Sequence, residues 1–171
     1  RRAKAFDMDV VFYDPHQPNG YQFAIGVRRA DSLAELMGQC DFVSVHAPLT
    51  AETRNLIGPE AFKAAKKGMI LINTARGPIV DNDALYDALK DGTVLAAGLD
   101  VLPREPADPQ SRLIAAWQKN EAWIRHRLLV TPHSAFFTPE AWEDIRLKGA
   151  ETMRAALLGP RPQNVITPEM F

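Results

Sequence analysis

Arg76, Glu105 and His133 are the residues of this chain best suited to chemistry. Arg76 follows the apolar run Met69-Ile70-Leu71-Ile72-Asn73 and precedes Gly77-Pro78. His133 follows Leu128-Leu129-Val130-Thr131-Pro132, and Glu105 stands before Pro106 in a proline-rich stretch. A guanidinium at a strand end is a planar fork of donors that clamps a carboxylate or a phosphate. An imidazole exchanges protons near neutral pH. A carboxylate on the far ring nitrogen fixes the tautomer and favours the charged ring. As clamp, acid and tuner, the three suit delivery of a hydride to a carbonyl, which leaves an alkoxide in need of a proton. Spacing alone does not join them. An arginine that pairs with a nearby acid to hold a loop serves position 76 equally well. His16, His46 and His126 compete for the proton. His126 lies in an arginine-rich helical stretch and reads as solvated; His46 ends a strand and could support the site from behind.

Two acids also follow apolar runs. Asp14 comes after Val10-Val11-Phe12-Tyr13. In a dinucleotide-binding fold an acid there accepts hydrogen bonds from the adenosine ribose and repels a ribose phosphate, which favours NAD over NADP. Before Pro15 it is also an ordinary turn acid, and taken alone that reading is the stronger. The glycine-rich fingerprint that would decide is not in this sequence. Asp100 closes Val94-Leu95-Ala96-Ala97-Gly98-Leu99. A buried acid needs a donor; a nicotinamide carboxamide or a structural cap would each supply one. Cys40 reads as a small packing residue.

The elements that must position these residues alternate between short apolar runs and helical patterns. Strands are predicted over 10–13, 26–29 (a short edge), 42–46, 69–73, 94–99 and 128–130. Helices are predicted after Asp31 or Ser32, from Pro59 to about residue 66, over 82–90 behind Asp81, over 112–126 and from Thr138 to about residue 158. Residues 50–57 read as a loop with a helical turn, and the proline-rich tail to Phe171 as extended. The pattern predicts an α/β fold: a Rossmann-type, doubly wound parallel sheet with helices on both faces. The 171 residues suffice for one domain with a real core, and a net charge of −1 argues against a nucleic-acid partner. No apolar run reaches membrane-spanning length, and no metal site is read. A single cysteine allows no internal disulfide and fits a reducing, cytoplasmic setting. Residues 1–6 look like the second half of a helix, so the chain is expected to be a piece of a larger protein.

The sequence resembles the D-isomer-specific 2-hydroxyacid dehydrogenases. The matching stretches are Tyr13-Asp14-Pro15, Val45-His46-Ala47-Pro48-Leu49-Thr50, Asn73-Thr74-Ala75-Arg76-Gly77, Ala97-Gly98-Leu99-Asp100-Val101 with Glu105-Pro106, and Thr131-Pro132-His133. Thr138-Pro139-Glu140-Ala141 and Asn164-Val165-Ile166 agree as well. The resemblance implies a two-domain, dimeric, NAD-dependent oxidoreductase acting on a small 2-hydroxy or 2-keto acid. Residues 1–159 would be its cofactor domain without the first strand and glycine-rich loop, and 160–171 a tail returning to a substrate domain. It implies that Arg76 binds the substrate carboxylate, that His133 exchanges the proton and that Glu105 pairs with His133. Asp14 would hold the ribose. Ala47, Pro48, Thr53, Thr74, Ala75, Arg76, Asp100, His133 and Ala135 would line the cofactor. Such a piece alone is expected to be inactive.

Phe136-Phe137 after His133-Ser134-Ala135 is closer to the branch containing the C-terminal-binding corepressors and their bacterial relatives. Residues 108–127, with Trp117 and Trp123, are longer than most members carry and would add an amphipathic helix near the site entrance or the dimer face. A rival reading is an NAD(H)-sensing module that gates a protein partner. The Arg76, Glu105 and His133 set weighs against it, because a pure sensor has no use for a proton donor. A Rossmann-like methyltransferase has none either.

Overall fold

The computed structural model describes residues 2–159 and residue 165. β1 (Val11–Phe12) and β2 (Arg28–Arg29) pair in parallel as a small separate sheet. β3 (Phe42–Val45), β4 (Met69–Asn73), β5 (Val94–Leu99) and β6 (Leu128–Val130) form a second parallel sheet, side by side in chain order. The register sets Val45 beside Asn73, Asn73 beside Leu99 and Leu99 beside Val130. The carboxyl ends of the four strands are therefore level, and the loops after them share one edge.

Side chains alternate across a strand, so one face of this sheet takes Val43, Val45, Met69, Leu71, Val94, Ala97, Leu99 and Leu128, all buried. Against that face pack α2 (Leu33–Gln39), α3 (Pro59–Ala64), α4 (Asn82–Asp91) and α5 (Arg112–Gln118). The opposite face is more open, with Phe42, Leu95 and Leu129 exposed. Local chemistry sets the helix ends. Ser32, not Asp31, caps α2: its Oγ accepts the Glu35 N–H at 3.1 Å, while Glu35 reaches back to the Asp31 N–H. Asp81 Oδ1 caps α4 by accepting the amides of Asp83 and Ala84, and Gly92 ends the helix at φ +82°. Thr138 caps α6 (Pro139–Leu158), which buries none of its residues.

Several boundaries differ from the expectation. The predicted helix over 112–126 stops at Gln118. Asn120 and His126 take left-handed conformations (φ +52° and +63°), and Arg127 replaces helical bonding with tertiary bonds. Its guanidinium donates to the carbonyls of Leu89, Val94, Leu95 and Trp123 at 2.7–2.8 Å, and so staples the segment to α4 and β5. The hydrophobic face still packs as read: Leu113, Ala116 and Ile124 are buried. Trp123 meets Tyr86 of α4 edge-on at 5.0 Å, with the Arg112 guanidinium over the Tyr86 ring. A short helix α1 (Tyr21–Ile25), between Gly20 and Gly26, was not anticipated. Residues Ala3–Phe6 form a 3-10 turn in place of a half-helix. α3 ends at Ala64 because Ala65 is extended, and β3 ends at Val45, which leaves His46 in the loop. The predicted extended tail lies outside the described residues except for Val165.

Candidate functional site

Three loops at the carboxyl edge carry the candidate residues. The loop after β4 is built by Asn73. Its buried side chain accepts the Ala75 N–H and donates to the Arg76 carbonyl, both at 3.0 Å. That closed turn presents Arg76, which is exposed. Its Nη1 donates to the Ala75 carbonyl at 2.7 Å, and among the described residues it makes no ion pair. The loop-holding alternative, an arginine tied to an acid, is not what the structure shows. Behind Arg76, Gly77 touches the loop after β5. A Cβ added there would stand 1.9 Å from the Leu102 carbonyl carbon.

The loop after β5 turns at Leu102, whose N–H donates to Glu105 Oε1 at 2.9 Å. The other oxygen of Glu105 lies 2.7 Å from His133 Nδ1. Two residues far apart in the chain thus meet, with the Nε2 edge of the imidazole turned away from its carboxylate partner. The His133 hydrogen bond, helped by the Leu102 amide, holds the Glu105 carboxyl below the usual carboxylate range against the smaller upward push of burial. A lowered carboxyl pKa keeps Glu105 ionised, and so able to accept from the ring, down to a lower pH than a free glutamate, and that acceptor is lost as pH falls through it. Carbon-13 titration of Glu105 should therefore show its protonation at lower pH than a free glutamate. In His133→Ala it should move back up, because the principal cause is gone.

Asp100 is buried beneath the loop after β6. Burial is the largest single influence and pushes its carboxyl up. The Thr131 hydroxyl (2.5 Å to Oδ1) and the amides of Ala135 (to Oδ2) and Ser134 (to Oδ1), each 2.9 Å, together outweigh it and hold the group ionised below the ordinary range. Of the two readings offered for this acid, the cap is realised in the geometry. One acceptor position remains on Oδ2, enough for a carboxamide donor.

The other predicted residues fall on neighbouring loops. Asp14, after β1, accepts the His16 N–H on one oxygen and the Gln17 side-chain amide on the other, each at 3.0 Å. It is a turn residue, and each oxygen keeps a lone pair for a ribose hydroxyl. Thr53 closes its own loop by donating to the Pro48 carbonyl at 2.6 Å, beside Ala47. Thr74 and Ala75 lie in the Asn73 turn, and Ala135 reaches the site through its amide. His46 is exposed, with Nε2 2.9 Å from Ser44 Oγ and no carboxylate partner among the described residues. His126 lies beyond α5, away from these loops. Within 108–127 the helix is α5, which packs on α4, and Asp108 pairs with Arg104 of the loop that carries Glu105 at 3.6 Å. Asn73, Gly77 and the Leu102 amide were not singled out from the sequence for these roles. Asn73 and Gly77 carried a signal only as the ends of the Asn-Thr-Ala-Arg-Gly run.

A parallel sheet whose level strand ends bring together an exposed arginine, unpaired with acid among the described residues, and a histidine–carboxylate pair defines a domain of Rossmann type. Comparison with known proteins agrees. Residues 1–135 match the family model described as D-isomer specific 2-hydroxyacid dehydrogenase, NAD binding domain, and the chain belongs to that family. It is 37% identical over 166 residues to the D-3-phosphoglycerate dehydrogenase of Methanocaldococcus jannaschii, covering 97% of this chain and 30% of that protein. It is 36% identical over 170 residues to the glyoxylate reductase of Korarchaeum cryptofilum, covering 99% and 48%. A solved glyoxylate reductase from Paecilomyes thermophila superposes with a TM-score of 0.80 at 29% identity, covering 99% of this chain and 48% of that one. The chain thus spans half or less of the length of these relatives.

Proposed function

We propose that the protein carrying this chain interconverts a small 2-keto acid and its 2-hydroxy acid with NAD(H). The single observation that carries the reading is the 2.7 Å His133–Glu105 pair on the same sheet edge as an arginine that has no acid partner among the described residues. The bound nicotinamide supplies and accepts the hydride. Arg76 holds the substrate carboxylate and draws electron density from the keto group. His133 gives the proton to the carbonyl oxygen in reduction and takes it back in oxidation. Glu105 fixes the ring so that Nε2 faces the substrate. Asp14 has the acceptor capacity to hold the adenosine ribose and disfavours a ribose phosphate by like-charge repulsion.

In this proposal residues 1–159 are the cofactor domain and 160–171 lead to the rest of the polypeptide. The two parallel sheets support it. Among the described residues β1 and β3 do not pair with each other, and the edges they present are where a further strand of the polypeptide would join the two sheets. The exposed apolar residues Phe42, Leu95 and Leu129, and Trp142, Ile145 and Met153 of α6, fit burial against further chain or a second copy, as in a homodimer. A cytoplasmic setting belongs to the same proposal.

The test is the full-length protein with NADH and a panel of 2-keto acids, with Arg76→Lys as the diagnostic variant. Lysine keeps the charge and loses the fork. KM for the keto acid should rise and kcat should fall, by about tenfold each if one charged hydrogen bond of roughly 1.5–3 kcal/mol is lost. NADH affinity should stay near the wild-type value. Wild-type kinetics in this variant would remove Arg76 from the mechanism. No turnover of any keto acid, with NADH-dependent capture of a protein partner, would favour the sensor reading.

A further inference from the structure

His133 holds a backbone conformation that L-residues adopt reluctantly, at φ +53°. Such a conformation persists only where the surroundings over-determine it. Here the surroundings are Asp100. The His133 N–H donates to the Asp100 carbonyl at 2.9 Å, and the segment from Thr131 to Ala135 wraps round the Asp100 carboxylate. Two of the three donors to that carboxylate are amides that follow His133, which almost any sequence would supply. The third precedes it and is a side chain, the hydroxyl of Thr131. Pro132 has no N–H, so no backbone donor at that position stands in for it.

We propose that Thr131 is a positioning residue for His133, its hydroxyl acting through the Asp100 carboxylate to fix the turn that carries the imidazole to Glu105. The proposal rests on the reading of His133 as the proton-transfer residue. The hydroxyl joins the first residue after β6 to the first residue after β5, and so adds a side-chain anchor on the amino side of the turn as the amides of Ser134 and Ala135 anchor its other side. Without it a buried carboxylate loses a donor, the amino side of the turn keeps only its backbone bonds, Thr131 N–H to the Leu99 carbonyl and His133 N–H to the Asp100 carbonyl, and the ring drifts from both Glu105 and the substrate oxygen. Thr131 touches no reacting atom. Its effect is confined to where the imidazole stands.

Two substitutions separate the hydroxyl from the shape. Thr131→Val keeps the volume and removes the donor; Thr131→Ser keeps the donor. In the full-length protein Thr131→Val should lower kcat by about 10- to 100-fold, as expected when a reacting group is misplaced by roughly 1 Å, while Thr131→Ser stays within about threefold of wild type. Retained NADH binding shows that each variant is folded. The nitrogen-15 spectrum of the His133 ring supplies a readout independent of turnover. The signature of Nδ1 bonded to Glu105 should be kept in Thr131→Ser and altered in Thr131→Val. A Thr131→Val protein with wild-type kcat or an unchanged ring spectrum overturns the proposal. So does a Thr131→Ser protein as impaired as Thr131→Val. If the wild type reduces no keto acid, the functional reading falls, and the ring spectrum alone still decides the role of Thr131.

Discussion

His133→Ala should reduce kcat for keto-acid reduction by about 10²–10⁴-fold, the usual contribution of a positioned proton donor, while NADH still binds. Hydride arriving at the keto carbon puts negative charge on the oxygen. An imidazolium beside that oxygen neutralises it in the same step, whereas water must reorganise to do so. The geometry fits this role. Glu105 occupies Nδ1 at 2.7 Å, so the exchangeable position left to face substrate is Nε2. The ring is 43% exposed, so its removal opens no core cavity and the fold should be retained. Glu105 keeps the Leu102 amide when the ring is gone. Steady-state kinetics and an NADH fluorescence titration check both halves of the expectation. Near-normal kcat would pass the role to another group, with His46 first, since it stands at the end of β3 on the same edge.

The sheet was largely legible in the sequence because its strands are short apolar runs punctuated by Gly, Pro and Asp. Those signals are local, and strands formed at 69–73, 94–99 and 128–130 as expected and over 42–45 of the expected 42–46. Residues 119–127 misled because their helix-like spacing is real for burial yet overridden by a tertiary bond set centred on Arg127. No window of the sequence shows that four carbonyls from three elements converge on one guanidinium. α1 was missed for a different reason: five residues flanked by left-handed glycines carry too little periodicity to register. In the site, functional types after strand ends marked Arg76 and His133, and Glu105 stood out as an acid in the proline-rich loop before Pro106. The groups that hold them were silent. Asn73 and Thr131 look like ordinary strand-end polar residues until their partners are seen, and the Leu102 donor is a backbone amide that no side-chain pattern encodes.

The largest stability effect should come from Gly77→Ala. Gly77 is buried at the start of a 3-10 turn (Gly77–Ile79), and its Cα faces the backbone of the neighbouring loop. An added Cβ would lie 1.9 Å from the carbonyl carbon and 2.0 Å from the oxygen of Leu102, and 2.4 Å from Pro103 N. All three are main-chain atoms, so no side chain can swing aside. Ordinary contact needs about 3.5–4.0 Å, and the loops after β4 and β5 would have to part by roughly 1.5 Å. Forcing even one methyl group into tight packing costs typically about 1–3 kcal/mol and occasionally more. With backbone on the far side we expect about 3 kcal/mol, hence a Tm lower by about 6–12 °C for a chain of this size. The parting should also pull the Leu102 amide from Glu105 Oε1 and shift Glu105 relative to His133. Activity should then fall below what the unfolded fraction explains. Gly149→Ala is the contrast: it lies in α6 with nothing within 4 Å of an added Cβ. Alanine there should stabilise the helix by up to about 1 kcal/mol, as its higher propensity dictates. Thermal melts of the two variants decide the matter. A Gly77→Ala protein that melts with the wild type and turns over at its rate would show that the two loops are not locked together at this point.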